Sequence, residues 1–196
     1  MVFVTDDESG TPRTITLNGV VGNPSSNAPD SNCFIDVAGS GTLAWNSISS
    51  YGGSLFVKSG ATLKIAAGAT TGTGAVSVGN GATLLVSGAG TAMSGNVLSL
   101  APRGVLAFNF TDGAAAPVLN VIAGTLPDTV RVRVSYTGSR PQRRGQKIAL
   151  TDGGAFDGKM VVPDTPLPGW AKSFGVNEDG DIVLEMKASG LVLIVK

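Results

Sequence analysis

Five short segments that end in leucine recur along the chain at nearly constant spacing. They are Gly41-Thr42-Leu43, Ala61-Thr62-Leu63, Ala82-Thr83-Leu84, Gly104-Val105-Leu106 and Gly124-Thr125-Leu126. A fixed period of this length, here roughly 20 residues from one leucine to the next, is the signature of an architecture in which each repeat stacks on the next one. The spacing therefore constrains the fold more strongly than any other feature of the sequence.

Each of the first four leucines opens a short alternating segment, such as Leu63-Lys64-Ile65, and the coils between them continue with a glycine-rich turn and a second short segment, such as 76–78. Alternation with a period of two predicts strands with one buried face. Coils of about 20 residues can stack such strands at about 4.8 Å per rung, so five rungs predict a rod roughly 25 Å long. We therefore expect an all-β, right-handed, single-stranded parallel β-helix. A β-sandwich stays open as an alternative, because its strands also recur every 8–12 residues.

The flanks of the repeat differ from it. Residues 1–38 are predicted to form an N-terminal cap or an irregular first rung, and residues 39–129 the repeat array. Residues 130–196 predict a C-terminal antiparallel β cap, with strands at 130–136, 147–150, 159–162, 174–176, 182–186 and 191–195. Asp179-Gly180 is a hairpin signal inside this cap. Trp170, in a Pro-Gly loop, is expected to pack over the end of the rod.

Composition excludes several functions. The chain has no histidine and one cysteine, Cys33, so neither a Ser-His-Asp nor a Cys-His arrangement can form. Lys plus Arg equals Asp plus Glu, which predicts neither a nucleic-acid partner nor attraction to an anionic membrane. No segment is apolar for long enough to span a bilayer as a helix. We therefore predict no membrane span in this chain.

Catalytic and cofactor signals are weak. No acidic residue lies between Asp36 and Asp112, so the array offers no carboxylate pair for glycoside hydrolysis, although two acids of the tail can still meet. Residues 177–180 are similar to part of a calcium-binding loop, but a β-turn is the preferred interpretation. No phosphate-binding loop is present. The sequence predicts no catalytic, cofactor or metal site.

Ligand-binding candidates are few. Trp45 and Tyr51 flank a corner, where they can stack on sugar rings, although a core position is the preferred interpretation for Trp45. The basic loop formed by Arg140, Arg143 and Arg144 can contact an anionic glycan, although a solvated loop is the simpler interpretation.

Three stretches of the array carry a resemblance to a known family. They are "GSGTLAW" at 39–45, "GGSLFVKSGATLKIAAGA" at 52–69 and "GAVSVGNGATLLVSGAG" at 74–90. These coils resemble the autotransporter-associated β-strand repeat of bacterial surface proteins. The tail segments "GQKIALTDGGAFDG" at 145–158 and "PLPGWAKSFGVNEDGDIVLE" at 166–185 are similar to the ends of such passenger regions.

The resemblance implies a secreted or outer-membrane, cell-surface location and a structural or adhesive role without catalysis. The implied partner is a host or extracellular glycan or protein, or another copy of the chain. A carbohydrate-binding or polysaccharide-degrading β-helix is the alternative. A phage tail protein, which would form a stable trimer, is a third.

Overall fold

The computed structural model of the chain describes residues 1–22, 34–111, 115–138 and 145–187. Within these ranges the chain forms strands and turns, and no helix. The strands are β1 (Val2–Val4), β2 (Thr14–Leu17), β3 (Phe34–Ala38), β4 (Thr42–Trp45), β5 (Ser54–Val57), β6 (Thr62–Ala66), β7 (Val76–Val78), β8 (Thr83–Ser87), β9 (Gly90–Leu100), β10 (Val105–Thr111), β11 (Pro117–Ala123), β12 (Thr129–Thr137), β13 (Lys147–Ala149), β14 (Thr151–Asp152), β15 (Met160–Pro163), β16 (Ala171–Val176) and β17 (Ile182–Met186).

Fourteen of these strands form two parallel sheets of seven strands each. Sheet 1 has the order β1-β3-β5-β7-β9-β11-β14, and sheet 2 has the order β2-β4-β6-β8-β10-β12-β15. Successive strands of the chain alternate between the two sheets from β1 to β12, so each coil adds one strand to each sheet. The remaining strands, β13, β17 and β16, form a small antiparallel sheet, the cap sheet. The predicted all-β parallel β-helix with an antiparallel cap is confirmed.

The parallel sheets extend beyond the array that the repeat marks. β1, β2 and β3 precede residue 39, and β12, β14 and β15 follow residue 128. The segments 130–136 and 159–162, which the sequence places in the antiparallel cap, pair in parallel in sheet 2. Alternation predicts a strand with one buried face, but it does not select the partner strand. Seven strands at about 4.8 Å per rung give a rod roughly 34 Å long.

Four of the five motif leucines form a continuous ladder inside the rod. Leu43, Leu63, Leu84 and Leu106 are direct neighbours on successive strands of sheet 2 and are fully buried. The prediction for Leu126 is wrong, because the next rung of this ladder is Val132. Pro127 explains the difference. A proline has no N–H to donate to a central ladder, so the strand begins beyond it, at Thr129.

Glycine at the corners lets successive coils approach each other closely. Gly72 has a φ of +101°, and a β-carbon there would collide with the carbonyl oxygen of Tyr51 in the preceding coil. A β-carbon at Gly74 would collide with the carbonyl oxygen of Gly53. These corners therefore need glycine for space as well as for conformation.

The cap sheet closes the C-terminal end of the rod. β16 and β17 form a hairpin whose turn is fixed by a hydrogen bond of 3.1 Å from Gly180 N–H to the Asn177 carbonyl. The hairpin prediction at Asp179-Gly180 is thus confirmed. Trp170 packs edge-on against Phe110 at 5.7 Å and Tyr136 at 6.2 Å between ring centroids, as expected for a side chain that covers the end of the rod.

Candidate binding groove

The two aromatic residues singled out by the sequence lie inside the coil. Trp45 is 0% exposed, and its indole N–H donates a hydrogen bond of 3.2 Å to Ser49 Oγ. Its ring occupies an inward-facing position between Leu17 of β2 and Ile65 of β6. Tyr51 is 4% exposed and belongs to the same core. Neither ring presents a face to a ligand outside the rod, and the burial of Trp45 agrees with the preferred core interpretation.

The basic candidates Arg140, Arg143 and Arg144 lie outside the described residues, as does Cys33. Across the described ranges, no three side chains of His, Cys, Asp or Glu come together in a way that could hold a metal ion.

Among the described residues, the carboxylates of Asp7 and Glu185 have pKa values that depart clearly from the ordinary range, and both are lowered. Asp7 accepts hydrogen bonds from the Ser9 hydroxyl, from backbone N–H groups and from the Arg13 guanidinium, which hold its pKa well below its usual value. The Lys172 ammonium, 2.6 Å away, is the main cause of the lowered pKa of Glu185. A general acid needs a raised pKa, so these shifts are typical of ion pairs that stabilise turns and the cap.

A groove of about 390 Å³ lies on the outer face of sheet 1. Its lining comes from β5, β7 and β9, from the corners that follow them and from the corner that follows β11, and consists of Phe56, Val57, Lys58, Ser59, Ser77, Val78, Gly79, Ser99, Leu100, Ala101 and Thr125. Val57, Val78 and Leu100 point into the core, so they contribute mainly backbone to the floor. The volume falls within the usual range of small-molecule sites, about 300–1,000 Å³. We refer to this feature as the sheet 1 groove.

The groove exists because one outward column of side chains changes from large to small. Phe56, Ser77 and Ser99 are direct neighbours on β5, β7 and β9. Strand alternation points all three away from the core. The phenyl ring therefore forms a wall, and the two serines form a floor below its height. Ser99 Oγ accepts a hydrogen bond of 3.1 Å from Thr125 N–H, which fixes the opposite end.

Charge and aromatic contacts hold the Phe56 wall in place. The rings of Phe34 and Phe56 meet edge to face, with centroids 6.2 Å apart, and Phe34 is 48% exposed. Lys58 Nζ lies 5.0 Å from the centroid of the Phe56 ring and 3.1 Å from Asp36 Oδ1. That carboxylate oxygen is buried and accepts no hydrogen bond from the described residues, so the ammonium group balances its charge. The wall is thus a fixed aromatic surface with a locally neutral ion pair.

Sequence reasoning does not identify this groove, although the repeat contains a signal for it. Positions 56, 77 and 99 have the same spacing along the chain as the leucines at positions 63, 84 and 106 of the same coils. Applying the period to the second strand of each coil would place these three side chains in one column. The leucine motif marks only the first strand of each coil, which belongs to sheet 2, whereas the groove lies on sheet 1.

Comparisons of the sequence with protein-family models and with curated proteins, and of the fold with solved structures, find no match. No helix that could cross a membrane is found in the described residues.

Proposed function

We propose that the chain is a non-catalytic structural and adhesive segment, secreted or displayed at a bacterial cell surface in the manner of an autotransporter passenger. The observation that carries the proposal is the pair of seven-stranded parallel sheets around one continuous apolar core. A solenoid of this kind contacts only its own neighbouring coils, so its length grows coil by coil while its side faces stay free for partners. A stalk or adhesin needs a stiff rod whose side faces are free to contact partners.

The resemblance of the coils to autotransporter-associated repeats gives the proposal its location. The low share of charged residues, 14% against about a quarter in typical domains, also suits a surface built of small polar side chains. The mechanism is passive, since a rigid ladder of backbone hydrogen bonds holds the outer faces in fixed positions.

A carbohydrate-binding module is the second candidate, and the sheet 1 groove is the observation that favours it. Hydrolysis of a glycosidic bond typically uses a pair of carboxylates that flank the scissile bond. None of the residues that line the groove, all of which are among those described, carries a carboxylate. Binding without turnover therefore accounts for the groove better than glycoside hydrolysis does.

Localisation and turnover test the proposal together. Antibodies against the purified chain are expected to label intact cells of the producing bacterium as strongly as permeabilised cells. A reducing-sugar assay on a panel of polysaccharides is expected to show no release. Labelling only after permeabilisation would contradict the surface location, and sugar release would contradict the non-catalytic role. A stable trimer on sizing would favour the phage tail alternative.

A further inference from the structure

We infer that the sheet 1 groove binds a neutral polysaccharide, so that this face of the rod is its adhesive surface. The inference rests on the proposed function, because it names the partner of an adhesive rod. Four observations carry it: the position of the groove on a sheet face, its chemistry, its charge and its length.

The position of the groove excludes recognition of a peptide as an added strand. β5, β7 and β9 are interior strands of sheet 1, each paired with a strand on both sides. Their backbone N–H and C=O groups are used within the sheet, whereas strand addition needs a free edge. A ligand in the groove must therefore be recognised by side chains.

The chemistry of the lining suits a ligand with apolar ring faces and many hydroxyl groups. The Phe56 ring provides apolar surface. Ser59 and Ser77 provide hydroxyl groups, each able to donate one hydrogen bond and accept two. Sugar rings have both properties, since their C–H faces pack on aromatic rings and their hydroxyl groups pair with serine. A purely apolar ligand would leave the serines unpaired, at a cost in free energy.

The charge of the groove favours a neutral ligand. Among the described residues that form the lining, Lys58 is the charged one, and its ammonium group is engaged by Asp36 at 3.1 Å. An anionic ligand would have to compete with this carboxylate for the same ammonium. Phosphate-rich polymers need several cations along the path of the backbone, which this lining does not supply.

The length of the groove suits a chain rather than a single sugar. Its wall at Phe56 and its far end at Thr125 belong to four successive strands of sheet 1 or the corners beside them, which span roughly 14 Å at about 4.8 Å per rung. The floor between them is formed by the side chains of Ser77 and Ser99 and by Gly79. A short stretch of a polysaccharide chain fits between the Phe56 wall and Thr125.

Affinity electrophoresis of the full chain tests the inference, in native gels that contain dextran, mannan, laminarin or hydroxyethyl cellulose, with polygalacturonate as the anionic arm. Ser77→Phe fills the groove, and Phe56→Ala removes its wall. Thr83→Phe is the matched control, because Thr83 points outward on β8 of the opposite sheet. Circular dichroism checks that each variant folds.

We expect retardation of the wild-type chain in at least one neutral gel. Ser77→Phe and Phe56→Ala are expected to raise the dissociation constant about tenfold or more, whereas Thr83→Phe leaves it unchanged. One variant fills the groove and the other removes its wall. If one of them fails to fold, the other still tests whether the groove binds the polysaccharide. Retardation in no gel, retardation in polygalacturonate alone, or equal retardation of a folded Ser77→Phe variant would overturn the inference.

Failure of this inference is distinguishable from failure of the proposed function. Without glycan binding, surface labelling of intact cells still supports a structural rod. Groove-dependent binding without surface labelling would instead contradict the proposed location while the groove assignment stands.

Discussion

Leu84 and Leu85 are adjacent and chemically identical, but the fold gives them opposite environments. Leu84 is 0% exposed and lies between Leu63 and Leu106 in the interior ladder. Leu85 points outward and is only half-buried, between Lys64 and Ala107 on the neighbouring strands. Replacing each leucine with alanine therefore removes the same atoms from two different environments.

Leu84→Ala is expected to lower the free energy of unfolding by about 3–4 kcal/mol. Leucine-to-alanine changes in well-packed cores cost about 2.7–5 kcal/mol, because the lost transfer free energy adds to the cost of the cavity. Here the coils above and below fix the neighbouring leucines in register, which limits collapse around the cavity. Leu85→Ala leaves no enclosed cavity, so we expect a loss of about 1 kcal/mol or less.

Urea denaturation followed by far-ultraviolet circular dichroism measures both values. The slope of the free energy of unfolding against urea concentration should agree between the two variants and the wild-type chain. The comparison is valid only if all three unfold in the same two-state transition. A one-residue shift in register would exchange the two side chains between the core and the solvent face. Equal losses for the two variants, or a larger loss for Leu85→Ala, would refute the assigned register.

Three further predictions concern single sites. Gly74→Ala should lower the free energy of unfolding by about 2 kcal/mol or more, because the new methyl group would collide with a backbone carbonyl. Gly19 has open space around it, so Gly19→Ala should leave the free energy of unfolding, measured by urea denaturation, almost unchanged. The pKa of Asp7 is lower in the folded chain than in the unfolded one, so the stabilising effect of this carboxylate is present above the unfolded pKa and is lost as the pH falls through the folded pKa. An NMR titration should show that Arg13→Ala raises the folded pKa of Asp7, and an unchanged pKa would contradict the assigned contact. With the other tryptophan replaced by Phe, the fluorescence of Trp45 should resist quenching by iodide, and free quenching would contradict its burial.

The interior of the rod is predictable from the sequence because it depends on local patterns. Leucines that recur in phase from coil to coil, with strict alternation around them, are sufficient to place Leu43, Leu63, Leu84 and Leu106 on one ladder. The prediction fails at Leu126, where the motif recurs but the following proline lacks the N–H that a position inside a central strand requires. A motif match therefore needs to be weighed against the hydrogen-bonding capacity of the residues next to it.

The partner of each tail strand is not predictable in the same way. Segment 130–136 alternates as well as any strand of the array, and alternation has the same form in parallel and antiparallel pairs. Whether the segment pairs in parallel or antiparallel depends on the path that the chain takes before it. Here the coil from Leu106 to Val132 is longer than the coil from Leu84 to Leu106. Variable coil lengths hide the continuation of the repeat.

The candidate groove is predictable from the sequence only in part. Its column of Phe56, Ser77 and Ser99 follows the period of the repeat, but its shape depends on the contrast between one large side chain and two small ones. Burial of Trp45 likewise follows from its place in an inward column, which its aromatic character alone does not indicate. Residue type alone suggests Trp45 and Tyr51 as sugar-binding aromatic residues, although both are buried. The strand register is needed to show that Phe56 faces outward.

A disulfide trap in the floor of the groove tests the parallel register most directly. Ser77→Cys and Ser99→Cys are combined in a Cys33→Ser background, and the control pair combines Ser77→Cys with Val97→Cys, two residues away on the same outer face. Direct neighbours lie within the range of about 4.4–6.8 Å between Cα atoms that a disulfide spans, whereas a diagonal pair lies at about 7–8 Å. We predict rapid oxidation of the first pair, with the native circular dichroism spectrum retained, and a control pair that stays reduced. Oxidation of the control pair alone, or of neither pair in folded protein, would contradict the stacked coils on which the rod and its groove depend.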